Sequence, residues 1–136
     1  AAPGPAVAAP QGGGWVRFCV YGRGGGAVVS LKPRVIGAGG EWTFEEGCVA
    51  EAVLSWGITR AKQCHRVGVD RGGNEISIEA DEIEARLFQH EIDHLDGILL
   101  VDHLDEDQQR EARRALRERT MSRPASAGQF DGGLRL

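Results

Sequence analysis

The alternation of apolar and polar positions along the chain predicts two pairs of β-strands. Residues 15–21 and 27–31 are rich in β-forming side chains and predict the first pair. Residues 65–69 and 75–80 predict the second pair, with the turn-forming residues 70–74 between them. We therefore expect at least one β-hairpin before residue 81.

Glycine-rich segments separate these predicted strands. Residues 22–26 predict a loop, and the glycines within residues 37–40 predict a further break in the chain. Neither cluster has the lysine and serine of a phosphate-binding loop, so both predict turns. Residues 41–63 show no clear period, and we expect them to be irregular.

The period changes to that of a helix after residue 80. Leu87, His90 and His94 follow one another at spacings of three and four residues, which places them on one helix face. Gly97 lies where a glycine commonly ends a helix. An amphipathic helix is therefore predicted after residue 81, running to about residue 95.

Both predicted helices have candidate N-caps. Asp81 and Glu84 have the spacing of a capping box before the first helix. Asp105 is placed to cap a second helix over residues 106–119, which carries few apolar residues. We expect this second helix to dock through a narrow apolar stripe and to expose its charged face.

Size and charge narrow the class of protein. The chain has 136 residues, enough for one domain with its own core. A net charge of -4 argues against a nucleic-acid or anionic-membrane partner, and no apolar run approaches the roughly 20 residues of a membrane span. Three cysteines, an odd and sparse set, argue against a disulfide framework. We expect a cytoplasmic protein.

The first predicted helix carries the sequence His-Glu-Ile-Asp-His at residues 90–94. Two histidines four residues apart project from one helix face, with Cβ atoms about 5–6 Å apart, and suit one small cation. Glu91 is rotated by about 100° from His90, so it is placed to act as a general base beside the metal. This pattern predicts a metal-dependent hydrolase; the alternative is a chance pair of histidines beside a solvated glutamate.

A third ligand is needed, and Cys48 is the favoured candidate from the residues alone. One thiolate and two imidazoles leave a position open for water, as catalytic zinc sites do. Glu111 and Glu118 are weaker candidates because they lie in the Arg-rich second helix. A small buried core residue is the alternative interpretation of Cys48.

Three segments resemble, in the same order, the signature motifs of peptide deformylases. Residues 89–97, QHEIDHLDG, resemble the third motif, QHExDHLxG. Residues 46–50, EGCVA, resemble the second motif, EGCLS, and residues 4–11, GPAVAAPQ, resemble the first, GxGLAAxQ. Ala6 replaces a glycine and Ala50 replaces a serine, so the chain resembles a somewhat divergent member of the family.

The resemblance implies an α+β fold, with small antiparallel sheets around a central metal-binding helix and a C-terminal helix. It implies removal of the formyl group from N-formylmethionyl peptides as they leave the ribosome. It also implies one divalent metal ion, Fe(II) in cells, with Zn(II), Ni(II) or Co(II) as substitutes. By position, the ligands of that ion would be Cys48, His90 and His94.

The resemblance also assigns the groups that act on the substrate. Glu91 would be the general base and then the general acid. The side chain of Gln11 and the backbone N–H of Val49 would form the oxyanion hole, where fixed donors stabilise the charge that develops during carbonyl attack. We expect residues 1–121 to form one catalytic domain and residues 122–136 to form a loose tail.

Two other functions stay open at this point. The altered first and second motifs would suit an amidase acting on another formylated or acylated amine. An inactive metal-binding homologue is the other alternative. It is suggested because the family has a longer segment before its first motif, so this chain is expected to be trimmed or to lack that element.

Three further charged residues lie near the motifs. We expect Arg86 at the rim of the substrate pocket and Arg60 at the surface or on a peptide carbonyl. For Glu46, a solvated position and a hydrogen bond to the ligand loop or a substrate amide are weighed equally.

Overall fold

The computed structural model describes residues 6–8, 17–23, 26–48, 54–121 and 134–135. These residues form two β-sheets and two α-helices, which confirms the predicted α+β class. In chain order the elements are β1 (Ala6–Ala8), β2 (Phe18–Arg23), β3 (Gly26–Gly39), β4 (Trp42–Cys48), β5 (Leu54–Arg60), β6 (Gln63–Val69), β7 (Glu75–Asp81), α1 (Glu82–Asp96), a 3-10 helix (Leu100–His103), α2 (Glu106–Met121) and β8 (Leu134–Arg135).

The larger sheet has the strand order β1-β2-β3-β6-β7, with every neighbouring pair antiparallel. β6 and β7 form the predicted hairpin, and Asp70 closes its turn by accepting the backbone N–H groups of Gly72 and Asn74 at 2.8 and 2.9 Å. β3 is longer than predicted, since it pairs with β6 as far as Gly39. The predicted break over residues 37–40 is therefore wrong.

The smaller sheet has the order β5-β4-β8, and it contradicts the irregular structure predicted for residues 41–63. β4 and β5 are antiparallel, and Thr43 lies opposite Thr59 with their hydroxyl groups 2.6 Å apart. Ile58, next to Thr59, is fully buried, so the strand has one inner and one outer face. β8 adds a parallel strand to the other edge of β4.

α1 packs on the larger sheet through one face. Ala85, Leu87 and Phe88 are buried in the main core, together with Tyr21 of β2. The rings of Tyr21 and Phe88 meet edge to face with centroids 4.9 Å apart, a favoured aromatic geometry. This packing fixes the helix and thereby holds its next two turns, which carry the histidines.

The sequence predicted the C-terminal end of α1 correctly but not its N-terminal end. Asp81 precedes the helix, but its side chain makes no capping hydrogen bond, so the predicted capping box is wrong. The backbone N–H of Glu82 instead donates to the carbonyl of Lys62 at 2.7 Å, and Glu82 adopts a φ of 47°. Gly97 ends the helix with a φ of 73°, which confirms the predicted C-cap.

α2 lies where the second helix was predicted. The Asp105 carboxylate accepts the backbone N–H of Gln108 at 2.8 Å and so caps the helix as expected. Ala112 is fully buried in a second, smaller core that also contains Ile58 of β5. Residues 122–133, most of the predicted tail, lie outside the described residues. Neither α1 nor α2 has the length and apolar character that a membrane span requires.

Candidate metal centre

His90 and His94 lie one turn apart on α1, and their rings converge. Their Nε2 atoms are 2.9 Å apart, and the ring centroids are separated by 4.6 Å at an interplanar angle of 71°. His90 is buried and His94 is half-buried. Two imidazole nitrogens this close together form a donor pair that one small cation satisfies.

Glu46 of β4 fixes the orientation of the His90 ring. Its side chain is fully buried and hydrogen-bonds to His90 Nδ1. Because an ionised carboxylate only accepts hydrogen bonds, Nδ1 carries the hydrogen, and in a neutral ring this leaves the lone pair for a cation on Nε2, which faces His94. Metal-ligating histidines are held by a carboxylate in this way, so the donors present fit a divalent transition-metal ion.

Glu91 lies beside this histidine pair. A carboxylate oxygen of Glu91 and one ring nitrogen from each of His90 and His94 all lie within 4.8 Å of one another. The Glu91 side chain is almost completely buried. It is therefore close enough to exchange a proton with a small molecule held at the imidazoles, which is what a general base requires.

The expected rim position of Arg86 and the surface alternative for Arg60 are wrong, since both side chains are almost completely buried. Arg60 donates to Glu46 from Nε and Nη2 at 2.9 and 2.8 Å, and to Asp93 from Nη1 at 2.7 Å. Arg86 donates from Nη1 to Glu46 at 2.8 Å and to the Ile58 carbonyl at 2.9 Å. Glu46 is thus not solvated: two guanidinium groups and one imidazole surround it.

The acidic members of this network stay ionised near neutral pH. Burial acts to raise the pKa of Glu46, but its hydrogen bonds with His90 and Arg60 outweigh burial and hold that pKa well below its usual range. Burial opposes the shift at Asp93 too, yet His103 and Arg60 lower the pKa of that carboxyl. Both carboxylates are therefore paired with arginine: Glu46 with Arg60 and Arg86, and Asp93 with Arg60.

Three of the predicted site residues are only partly described or not described. Cys48 is the last residue of β4, two positions after Glu46, and its side chain lies outside what the structure describes. Gln11 and Val49 also lie outside the described residues. Their roles, and that of Cys48 as a ligand, stay predictions.

The alanine that departs from the first motif causes no visible backbone strain. Ala6 begins β1 and lies opposite Tyr21 in an antiparallel register. An extended strand backbone suits alanine, so the position does not need the left-handed conformation that favours glycine.

The chain resembles known proteins over most of its described length. The family described as Polypeptide deformylase matches residues 1–110. The peptide deformylase of Acidothermus cellulolyticus is 38% identical over 117 residues, which cover 86% of this chain and 65% of the relative. That of Halothermothrix orenii is 41% identical over 103 residues, covering 74% and 67%. The chain thus spans about two thirds of the length of these curated relatives.

Solved structures give the same result for the fold. A peptide deformylase from Legionella pneumophila superposes with a TM-score of 0.76 at 34% identity, covering 83% of this chain and 69% of that one. The enzyme from Thermus thermophilus gives a TM-score of 0.77 at 31% identity, with the same two coverages. The two sheets and the histidine-bearing helix are therefore the arrangement of a known fold.

Proposed function

The chain belongs to the peptide deformylase family, and we propose on that basis that it is a metal-dependent hydrolase that removes the N-formyl group from N-formylmethionyl peptides. The observation that carries the proposal is the histidine pair of α1. His90 Nε2 and His94 Nε2 converge at 2.9 Å, and Glu91 lies beside them. This constellation suits metal-assisted hydrolysis of an amide.

The proposed ligands come from two elements. His90 and His94 project from α1, and Cys48 ends β4 at the position that matches the second motif. Glu46, two residues before Cys48, holds the His90 ring. A bound divalent ion would supply Lewis acidity both to water and to the formyl carbonyl.

The other proposed roles belong to the protein's own groups. Glu91 takes a proton from the attacking water and returns it to the leaving amine, a role typically worth about 10²–10⁴-fold in rate. The side chain of Gln11 and the N–H of Val49 donate to the oxygen that becomes negatively charged. Removal of the formyl group then frees the amine of the peptide and releases formate.

The finer assignments follow from the same family membership. We propose Fe(II) as the ion in cells, with Zn(II), Ni(II) or Co(II) as substitutes, and peptides leaving the ribosome in the cytoplasm as substrates. We also propose that residues 1–121 form the catalytic domain, since the family match ends at residue 110 and α2 ends at Met121. Residues 122–136 are proposed as a loose tail that returns to the domain where Leu134–Arg135 pairs with β4.

The test is formate release by the metal-loaded protein. The chain is loaded with Ni(II) or Fe(II), its metal content is measured, and formyl-Met-Ala-Ser is offered as substrate. Acetyl-Met-Ala-Ser is the matched control, because it keeps the peptide and enlarges only the acyl group. We expect release of formate from the first peptide and much slower hydrolysis of the second.

Two outcomes would contradict the proposal. Faster hydrolysis of the acetyl peptide would favour an amidase with another acyl preference. Metal bound in stoichiometric amount, with neither peptide cleaved, would favour a metal-binding homologue without this activity.

A further inference from the structure

Arg60, the last residue of β5, joins two carboxylates that lie beside the two histidines. Its Nε and Nη2 atoms donate to the Glu46 carboxylate, and its Nη1 atom donates to Asp93 Oδ2 at 2.7 Å. The Arg60 side chain is only 4% exposed, so these contacts are made away from water. One guanidinium therefore satisfies acceptors on β4 and on α1 at once.

Each of these carboxylates is tied to the site. Glu46 accepts the hydrogen of His90 Nδ1 and so sets the direction of His90 Nε2. Asp93 directly precedes His94 in the last turns of α1, and it also hydrogen-bonds to His103 Nε2 at 2.7 Å. Arg60 is thus connected through Glu46 to the ring of His90, and through Asp93 to the helical turn that carries His94.

We propose that Arg60 is a positioning residue for the metal centre, one that locks Glu46 and Asp93 together and so fixes both histidines against β4. This inference rests on the proposed function. Arg60 acts through the two carboxylates, to which it donates its hydrogen bonds. A planar guanidinium offers five donors in a rigid fork, whereas a lysine ammonium offers its donors from one point.

The geometry of the network supports a bridging role for Arg60 and a different role for Arg86. Arg86 shares the Glu46 carboxylate and also donates to the backbone carbonyls of Ile58 and Trp42. Because Arg86 lies on α1, these bonds tie the helix to β4 and β5, and they do not reach Asp93 among the contacts described. Arg60 supplies the link from Glu46 to the helix turn that carries His94.

The test compares Arg60→Lys with Arg66→Lys and uses Co(II) as the probe. Arg66 is also fully buried, but it lies between the rings of Tyr21 and Phe88, with its carbon Cζ 4.3 and 3.9 Å from their centroids. Both substitutions keep the positive charge and remove a buried guanidinium. The measurements are the Co(II) dissociation constant, the Co(II) visible spectrum, the melting temperature and the kcat and KM for formyl-Met-Ala-Ser.

We expect Arg60→Lys to weaken Co(II) binding by about 10–100-fold, the usual effect of disturbing the carboxylate that holds a metal ligand, because Glu46 loses its two-point contact with the guanidinium. Its Co(II) spectrum should change, and kcat should fall more than KM rises, because Arg60 acts on the groups that hold the metal ligands. Arg66→Lys should lower the melting temperature and leave the Co(II) constant within about twofold. Asp93→Asn, which keeps the Arg60 contact with Glu46, should give a smaller loss of Co(II) affinity and serves if Arg60→Lys does not fold.

The proposal is overturned if Arg60→Lys lowers the melting temperature as much as Arg66→Lys does but leaves the Co(II) dissociation constant and the Co(II) spectrum native. A native Co(II) constant in Asp93→Asn would overturn the bridging part. Metal binding is measured without turnover, so the two proposals fail separately. A native chain that binds Co(II) and releases no formate refutes the function and still permits the Arg60 comparison.

Discussion

At the scale of single residues, Glu91 combines burial with closeness to both imidazoles, within 4.8 Å. Glu91→Gln keeps the size of the side chain and removes its capacity to take a proton. We expect bound metal to stay near the native amount and kcat to fall by about 10²–10⁴-fold. Metal analysis and formate release measure the two effects.

The control for that substitution is Glu79→Gln on the exposed face of β7, which should leave both quantities unchanged. If Glu91→Gln kept native turnover, another group would have to be the base. If it lost its metal instead, Glu91 would act in binding and not in proton transfer.

Two cysteines give a pH-dependent prediction at the same scale. Burial raises the pKa of Cys19 and of Cys64 to about 11, although Arg66 acts in the opposite direction on both. The thiolate is the reactive form, and with a pKa of about 11 only about one of these thiols in a thousand is ionised at pH 8 in the folded chain. Alkylation by iodoacetamide should be very slow at pH 8 and should accelerate by about tenfold per pH unit up to the raised pKa.

Peptide mass mapping distinguishes these two cysteines from Cys48, and the denatured chain supplies the unprotected rate. The raised pKa also means that the folded state holds these protons more tightly than the unfolded state. Stability should therefore fall as the pH rises from about 9 towards 11. Rapid labelling of Cys19 or Cys64 at pH 8 in the folded chain would contradict the prediction.

The limits of sequence interpretation are clear for the charged residues. His90, Glu91 and His94 could be predicted because their spacing alone sets their geometry on a helix. Arg86 offered a partial signal, since it lies four residues before His90 on the same face. Arg60 offered none, because arginine is usually exposed and its partners are distant in sequence: Glu46 by 14 residues and Asp93 by 33.

At the scale of elements, a strand could be predicted where apolar side chains alternate regularly along one face. A strand whose buried face carries a polar side chain was missed. β6 and β7 alternate clearly and were predicted. β4 was missed because its inner face includes Glu46, a buried carboxylate whose arginine partners come from β5 and α1. Tertiary contacts thus decide a position that the local pattern assigns to solvent.

The C-terminal end of α1 can be tested directly, because it holds the turn that carries His94. Gly97 has a φ of 73°, and its N–H donates to the His94 carbonyl at 3.3 Å. Gly97→Ala would force a Cβ into the left-handed region and should destabilise the fold by about 1 kcal/mol. Thermal and urea unfolding of the metal-free protein measure that loss.

Gly39→Ala at the end of β3 is the matched control, because a Cβ there would meet no heavy atom within 4 Å. It should change the free energy of unfolding by less than about 0.5 kcal/mol. Equal effects of the two substitutions would mean that the helix end does not depend on the left-handed glycine.

At the scale of the whole molecule, the proposed metal centre joins parts with separate cores. α1 is anchored in the main core by Leu87 and Phe88, whereas β5 contributes Ile58 to the second core together with α2. Ligands from α1 and from the end of β4 would therefore connect the helix to the smaller sheet. Bound metal should stabilise the folded chain as a whole, since the unfolded chain does not hold the ligands together.

We expect a metal ion supplied at about 100 times its dissociation constant to add about 2.7 kcal/mol to the free energy of unfolding. Unfolding is measured for the native chain with Ni(II), and again after the metal is removed by a chelator.

Cys48→Ala is the variant that separates the alternatives for the third ligand. If Cys48 binds the ion, the variant should show the stability of the metal-free chain and little response to Ni(II). A Cys48→Ala chain that gains as much stability from Ni(II) as the native chain would show that the third ligand is another residue.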